Sequence, residues 1–329
     1  MQPIDYSPLH RKISYRERRE DSYGWIVPFA LYFVLPLTAF CIAMLFTPYS
    51  NGLFGYGMFV GIFVLVVCAW TYNTIAHRIR LRAFASQNNL DYYATMNDDN
   101  RPGIIFGQGH DQSFVDVLIA HGRQFAEIGN YSYKTGAEKY ETTHTFGYMR
   151  IKLPRRLPNM VLDSTKNNFL GKISNLPSGF RSDQRLSLEG DFDKYFTLYA
   201  PAEYKTDALY VFTPDVMQAM INAAHNYDCE VIDDDLYLYS SKINVTDQKQ
   251  LEELIRIAET ISPEIAAQTN YYADTRVPDR SLNVVATPGK RLQTRWSFFA
   301  IISIILILLY NAPYIFYLLS SLLGLFAEK

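Results

Sequence analysis

The chain has 329 residues, 49% of them hydrophobic, and a formal net charge of −2 from 31 Lys and Arg against 33 Asp and Glu. A balance this close to neutral supplies no long-range positive field, which argues against nucleic acid as a partner. Three cysteines (Cys41, Cys68 and Cys229) without a CxxC pair exclude a disulfide framework, and six scattered histidines lack the ligand spacing of a structural zinc.

Residues 1–23 form a polar tail whose basic members are Arg11, Lys12, Arg16, Arg18 and Arg19, mixed with Glu17, Glu20 and Asp21. That mixture is wrong for a signal peptide. Two uncharged runs follow, Gly24 to Phe46 and Leu53 to Ala76, joined by a short turn. A bilayer core takes about 20 apolar residues of helix, so 24–76 reads as a transmembrane helical hairpin. Pro28 and Pro36 are tolerable there because neighbouring helices and local bends satisfy the freed carbonyls. A third apolar run fills 296–326, with a kink or break expected near Asn311 and Pro313. One span with a bent continuation is the preferred reading of it, and a second, returning span is the competitor.

Orientation follows from the basic residues that flank these runs. Arg16, Arg18 and Arg19 precede the first span, Arg78, Arg80 and Arg82 follow the second, and Lys290, Arg291 and Arg295 precede the third. All three clusters are expected on the cytoplasmic face of a bacterial plasma membrane, with the N-terminus and residues 77–295 cytoplasmic and the 49–52 turn outside. Arg78, Arg80 and Arg82 are then placed to meet lipid headgroups. Cytoplasmic placement also empties the Asn244–Thr246 sequon of meaning.

Residues 77–292 are expected to form an α+β domain: an antiparallel sheet with helices on one face, anchored by the transmembrane α-helices. The second span continues as a helix into this domain. Strand-like runs of aromatic and β-branched residues at 113–122, 123–136 and 140–153 are punctuated by Gly122, Gly136 and Pro154, and Lys134–Lys139 forms a hairpin tip. Residues 154–164 add a short extended piece, and 165–184 a polar loop. Thr213 reads as an N-cap with Pro214 in the first turn, before an apolar stripe of Val216, Met217, Met220, Ile221 and Ala224. A second helix starts at Asp247, with Gln250 at capping-box spacing, and runs to Pro263. Between the helices, two short strands are expected around an acidic turn, Asp233–Asp235.

The stretch "LSLEGDFDKYFTLYAP" places Glu189, Asp191 and Asp193 at the entry to a strand through Tyr195–Tyr199. A catalytic carboxylate pair needs a perturbing partner, and none is near in sequence, so the three acids read as a solvated turn. Asp233–Asp235 lacks the alternating ligands of a calcium loop. "GQGHDQ" at 107–112 lacks the lysine and following helix of a phosphate loop. No catalytic, cofactor-binding or metal-binding residue is therefore expected, and no cofactor.

The run 188–240 resembles a family of uncharacterised bacterial multi-pass membrane proteins, a domain of unknown function with flanking transmembrane helices. "EGDFDKYFTLYAP", "DALYVFTPDVMQAM" and "DDDLYLYSS" carry the resemblance, through Phe192, Phe196, Ala208, Leu209, Thr213, Pro214, Met217, Leu236 and Tyr237. It implies a membrane-anchored cytoplasmic domain and brings no activity. Because the spans lack the ionisable residues that mark transport pathways, the expected function is a membrane-anchored interaction or scaffold module. Its partners would be the lipid bilayer and another protein or a second copy. The alternative is an accessory component of a transport or envelope-processing system, or an enzyme or ligand sensor.

Overall fold

The computed structural model describes residues 3–21, 30–45, 53–97, 101–168, 174, 176–177, 179–294 and 310–312. The first turn of the expected first span, the 49–52 turn, Arg295 and Pro313, with all of 296–326 except a helical fragment at 310–312, lie outside the described residues. The chain divides into two compact units.

The first unit comprises Met1–Arg101, Gly107–Lys152 and Tyr237–Pro263. It opens with a 3-10 turn, Ser7–His10, and a short helix α1, Tyr15–Glu20. A π turn, Ala30–Val34, leads into α2, Leu35–Leu45, which packs against the long helix α3, Leu53–Gln87. Close approach is possible because Gly61 has no side chain: a Cβ there would lie 3.0 Å from Cγ2 and Oγ1 of Thr38. Buried Thr38 donates its hydroxyl to the Val34 carbonyl at 2.6 Å, so its polar group is satisfied within its own helix.

From α3 the chain turns at Asn88–Asn89 into an antiparallel meander of β1 (Leu90–Met96), β2 (His110–Ala120), β3 (Glu127–Thr135) and β4 (Thr142–Ser164). Gly122 and Gly136 turn with φ of +72° and +90°, the backbone region open to glycine. The β3–β4 ladder runs unbroken to Thr135↔Thr142, which makes the expected hairpin. Phe114, Val117, Ile128, Tyr131, Tyr148 and Met149 fill this unit's core. Fully buried Glu127 is held among them by Arg101 at 2.7 Å, Arg150 at 3.0 Å and the Tyr148 hydroxyl. A buried charge needs partners of this kind to offset its lost hydration.

The second unit comprises Pro102–Phe106, Leu153–Leu236 and Glu264–Lys329. Here the far end of β4 pairs with β6 (Phe196–Tyr199), and β6 with the two-residue β5 (Arg185–Leu186). Helices α4 (Lys205–Val211) and α5 (Pro214–Ala224) follow. Strand β7 (Asp228–Ser240) pairs with β4, and α6 (Gln248–Thr269), whose first part belongs to the first unit, leads into residues 270–294. The whole is an antiparallel seven-stranded sheet with helices, the α+β class.

Several local expectations are corrected. Pro154 ends nothing, because β4 runs through it and Pro158 for 23 residues. Both prolines fall between the β3-paired stretch, which stops at Arg150, and the β6-paired stretch, which starts at Val161, so no amide is missed on those ladders. Asp233–Asp235 is no turn either. One continuous β7 passes through it, and Asp233 absorbs the irregularity with a φ of +52°. Helix α6 continues past Pro263; Ile261 and Ile265 on either side are fully buried, and their packing outweighs the missing hydrogen bond. Thr213 stands at the N-cap position of α5 without a side-chain capping bond. That helix buries Val216, Ala219, Met220 and Ala224, leaving Met217 and Ile221 only half-buried. Strand β1 and helix α4 lie where sequence patterning indicated neither.

Candidate membrane interface

Solvent exposure changes abruptly along α3. Phe59, Phe63, Val66 and Trp70 are 75%, 62%, 61% and 69% exposed, whereas Ile75, Leu81 and Phe84 are at most 1% exposed. The first Arg or Lys of the helix is Arg78, after the change. Among the described residues, α3 is the one helix long and apolar enough to cross a membrane, through its Gly61–Gln87 stretch. Tyr32, Phe33, Leu37 and Phe40 on and before α2 are exposed in the same way. Apolar side chains in that number are not left facing water by chance in a folded protein.

The first two basic clusters of the sequence meet at this point of change, within the first unit. The N-terminal segment folds back on α3 and contributes buried Leu9 and Ile13. A capping box starts α1: the Glu17 amide donates to Ser14 Oγ at 3.3 Å and the Ser14 amide to Glu17 Oε2 at 2.9 Å. Those Ser14 bonds, then the Arg11 guanidinium 2.7 Å away, hold the Glu17 carboxyl below its ordinary value. Arg18 lies over the Tyr72 ring, 3.6 Å from its centre, and donates to the Tyr72 carbonyl at 3.3 Å. Arg82 pairs with Asp21 at 2.7 Å, Arg80 donates to the Arg11 carbonyl at 3.0 Å, and Arg16 meets Glu20 at 3.0 Å across solvent. Arg19 and Lys12 are exposed. Arg78 is half-buried beside them in sequence.

Next to Arg78, His77 Nε2 lies 2.9 Å from Asp116 Oδ2, and the Tyr92 hydroxyl donates to Asp116 Oδ1 at 2.8 Å. Asp116 sits where the β2–β3 register shifts, with a φ of +53°. Burial pushes its carboxyl up, but the His77 and Tyr92 contacts outweigh burial and hold it below its ordinary value. The trio ties α3 to the first two strands.

The third cluster lies in the second unit. Lys290 is exposed, and Arg291 is 3.8 Å from Asp233. The acids singled out in the sequence behave as a surface turn. Glu189, Asp191 and Asp193 are all exposed around Gly190, whose φ is +67°. Asp193 accepts from the Leu188 amide at 3.1 Å and from the Ser187 hydroxyl, and Asp191 pairs with Lys194 at 2.6 Å.

Two polar clusters had no signal in the sequence. His110, Asp111 and Glu141 come within metal-binding reach of one another, but Lys134 Nζ already sits 3.0 Å from Asp111 and 3.1 Å from Glu141. Its ammonium supplies the positive charge that a cation would bring, and it is what chiefly lowers both carboxyls. In the second unit, Tyr204 donates to Asp274 at 2.6 Å, and Arg276 stacks on Tyr204 while pairing with Asp207 at 2.9 Å. Tyr272 completes the set by donating to Asp207 at 2.8 Å. A cleft of about 550 Å³ opens beside it between Tyr210, Tyr271, Arg276 and Arg280. Asp207, Asp274 and Arg276 are matched within the cluster, which makes it a staple of the 270–286 loop rather than a poised acid or base.

No protein-family model matches the chain, and no curated protein matches it. Among solved structures it is similar to the crystal structure of the mycobacterial trehalose monomycolate transport factor A, TtfA. The identity is 12%, covering 57% of this chain and 93% of that one, with a TM-score of 0.38, and at that score the likeness carries no inference.

Proposed function

We propose that this protein is a membrane-anchored interaction module. In this reading α2 and α3 form a two-span hairpin in a bacterial plasma membrane, and the α+β fold works in the cytoplasm by binding another protein. The observation that carries it is the change along α3 from exposed apolar side chains at 59–70 to buried ones at 75–85. An α-helix rises about 1.5 Å per residue, so the stretch of α3 from Leu53 to Trp70 is about 27 Å long, close to the thickness of a bilayer core. The basic residues at 78–82 and 11–19 then fall on one side, which is the cytoplasmic side by the positive-inside rule.

Alkaline extraction of bacterial membranes tests the anchoring: the chain should stay with the bilayer and leave only with detergent. Cysteine labelling in intact cells tests the side. With the native cysteines replaced, a cysteine at exposed Ser241 should resist an impermeant reagent until the cells are opened. Labelling in intact cells would overturn the orientation. Partner capture from solubilised membranes, read beside a ligand-stabilisation screen, tests the interaction role. A stoichiometric partner without a ligand shift supports it, and a ligand shift without a partner overturns it.

A further inference from the structure

Resting on the membrane-anchored reading, we propose that Lys12, Arg16 and Arg19 form a headgroup-binding face that selects anionic phospholipids. The basic residues of the interface divide into two groups by what they touch. Arg18, Arg80 and Arg82 are spent holding the N-terminal segment to α3, through Tyr72, the Arg11 carbonyl and Asp21. Lys12 and Arg19 are exposed and make no ion pair or hydrogen bond among the described residues. Arg16 has only Glu20, with side chains 88% and 64% exposed, a pair worth little in water and easily exchanged for a phosphate.

The geometry favours joint action. Arg16 and Arg19 are three apart on α1, which puts them on one face of that helix. Of the nearby acids, Glu17 is bound by Ser14 and Arg11 and Asp21 by Arg82, which leaves exposed Glu20 as the one competitor, for Arg16. The docked tail thus carries its free cations along α3 between Tyr72, which Arg18 meets, and Arg80, which meets Arg11, beyond the exposed apolar stretch that ends at Trp70. Headgroup phosphates lie at that level, and guanidinium groups bind phosphate with paired N–H donors. Juxtamembrane cations draw anionic lipids over about a Debye length, so the attraction must weaken with salt.

The test uses the full chain in a neutral detergent. Its melting temperature is followed while short-chain phosphatidylglycerol, short-chain phosphatidylcholine or inorganic phosphate is added. Phosphatidylglycerol should raise it at low salt and lose that effect at high salt, and the other two should do little. The triple variant K12Q/R16Q/R19Q should need roughly a hundredfold more phosphatidylglycerol for the same shift, from the usual contribution of each cation at an anionic surface. The double variant R16K/R19K keeps the charge but loses the paired donors, so it should respond between the parent and the triple variant, even if the triple variant melts early. Equal responses to both lipids, a full response in the triple variant, or a response to inorganic phosphate matching that to phosphatidylglycerol would each overturn the proposal. Alkaline extraction of the same variants separates the two readings: a chain that stays in the membrane without lipid selectivity refutes the headgroup face and leaves the anchoring standing.

Discussion

Asn130 and Gly147 are paired across the β3–β4 ladder, and together they seat the chain at Ile243. The Asn130 side-chain amide takes the place of a neighbouring strand, accepting from the Ile243 amide at 2.7 Å and donating to its carbonyl at 3.0 Å. Gly147 supplies the room, since a Cβ there would lie 2.4 Å from Ile243 Cγ1 and 2.6 Å from the Ser241 carbonyl oxygen. Asn130→Ala leaves a buried donor and acceptor unmatched and should cost about 2–4 kcal/mol. Gly147→Ala should cost about 1–3 kcal/mol, because a backbone carbonyl cannot swing aside as a side chain can. Urea unfolding of the full chain in detergent measures both. If Gly147→Ala proves neutral, the 241–243 segment does not cross β4 as described.

The Asp274 staple sets a pH dependence with a definite sign. Burial pushes this carboxyl up, but the Ala286 amide, the Tyr204 hydroxyl and Arg276 outweigh burial and hold it below its ordinary value. A carboxyl lowered in the folded state contributes stability that is present above its unfolded value and fades as pH falls through the folded one. The loss should therefore begin near pH 4, about where an unperturbed aspartate titrates. Asp274→Asn should lower the melting temperature at pH 7 and flatten the acid limb of the stability curve. An unchanged acid limb would show that the staple contributes nothing by charge.

Helix α5 shows where patterning reaches and where it stops. Met217 and Ile221 of the expected stripe are only half-buried, but the start at Pro214 and three of the buried residues, Val216, Met220 and Ala224, were legible because both depend on neighbours within a few residues. The role of Thr213 was not, because a side-chain cap also needs a rotamer that reaches the N–H groups, and here the hydroxyl makes no such bond. Thr213→Ala should then stay within about 0.5 kcal/mol. Met220→Ala, which empties a fully buried site, should cost about 2–5 kcal/mol, and Met217→Ala less. Thermal melts of the full chain rank the three. A severe Thr213→Ala would restore the cap.

The same division holds elsewhere. The β3–β4 hairpin announced itself through alternating aromatic and polar residues around a glycine, whereas β7 was hidden by three consecutive aspartates that read as a turn. Only the folded sheet shows Asp235 buried and Asp233 at a positive φ. The basic clusters were visible as clusters. Which arginines are spent was invisible, because Arg18 reaches a residue 54 positions away and Arg80 one 69 positions away.

Arg18 and Tyr72 provide the last prediction, since their contact decides whether the N-terminal segment is part of the fold or a loose tail. A guanidinium over an aromatic ring contributes about 0.5–2 kcal/mol, and more when shielded from water. Arg18 adds a bond to the Tyr72 carbonyl, which an ammonium on a flexible stem would hold less well. Arg18→Ala should release the segment: amides from Leu9 to Asp21 should exchange several-fold faster, and a protease should cut near Arg11 and Lys12. Arg18→Lys should fall between that variant and the parent. Tyr72→Leu keeps the apolar bulk and the backbone carbonyl but removes the ring's electrons, so it should release the segment less than Arg18→Ala does. Equal exchange rates in all four proteins would mean that buried Leu9 and Ile13, rather than the cation, hold the segment to α3.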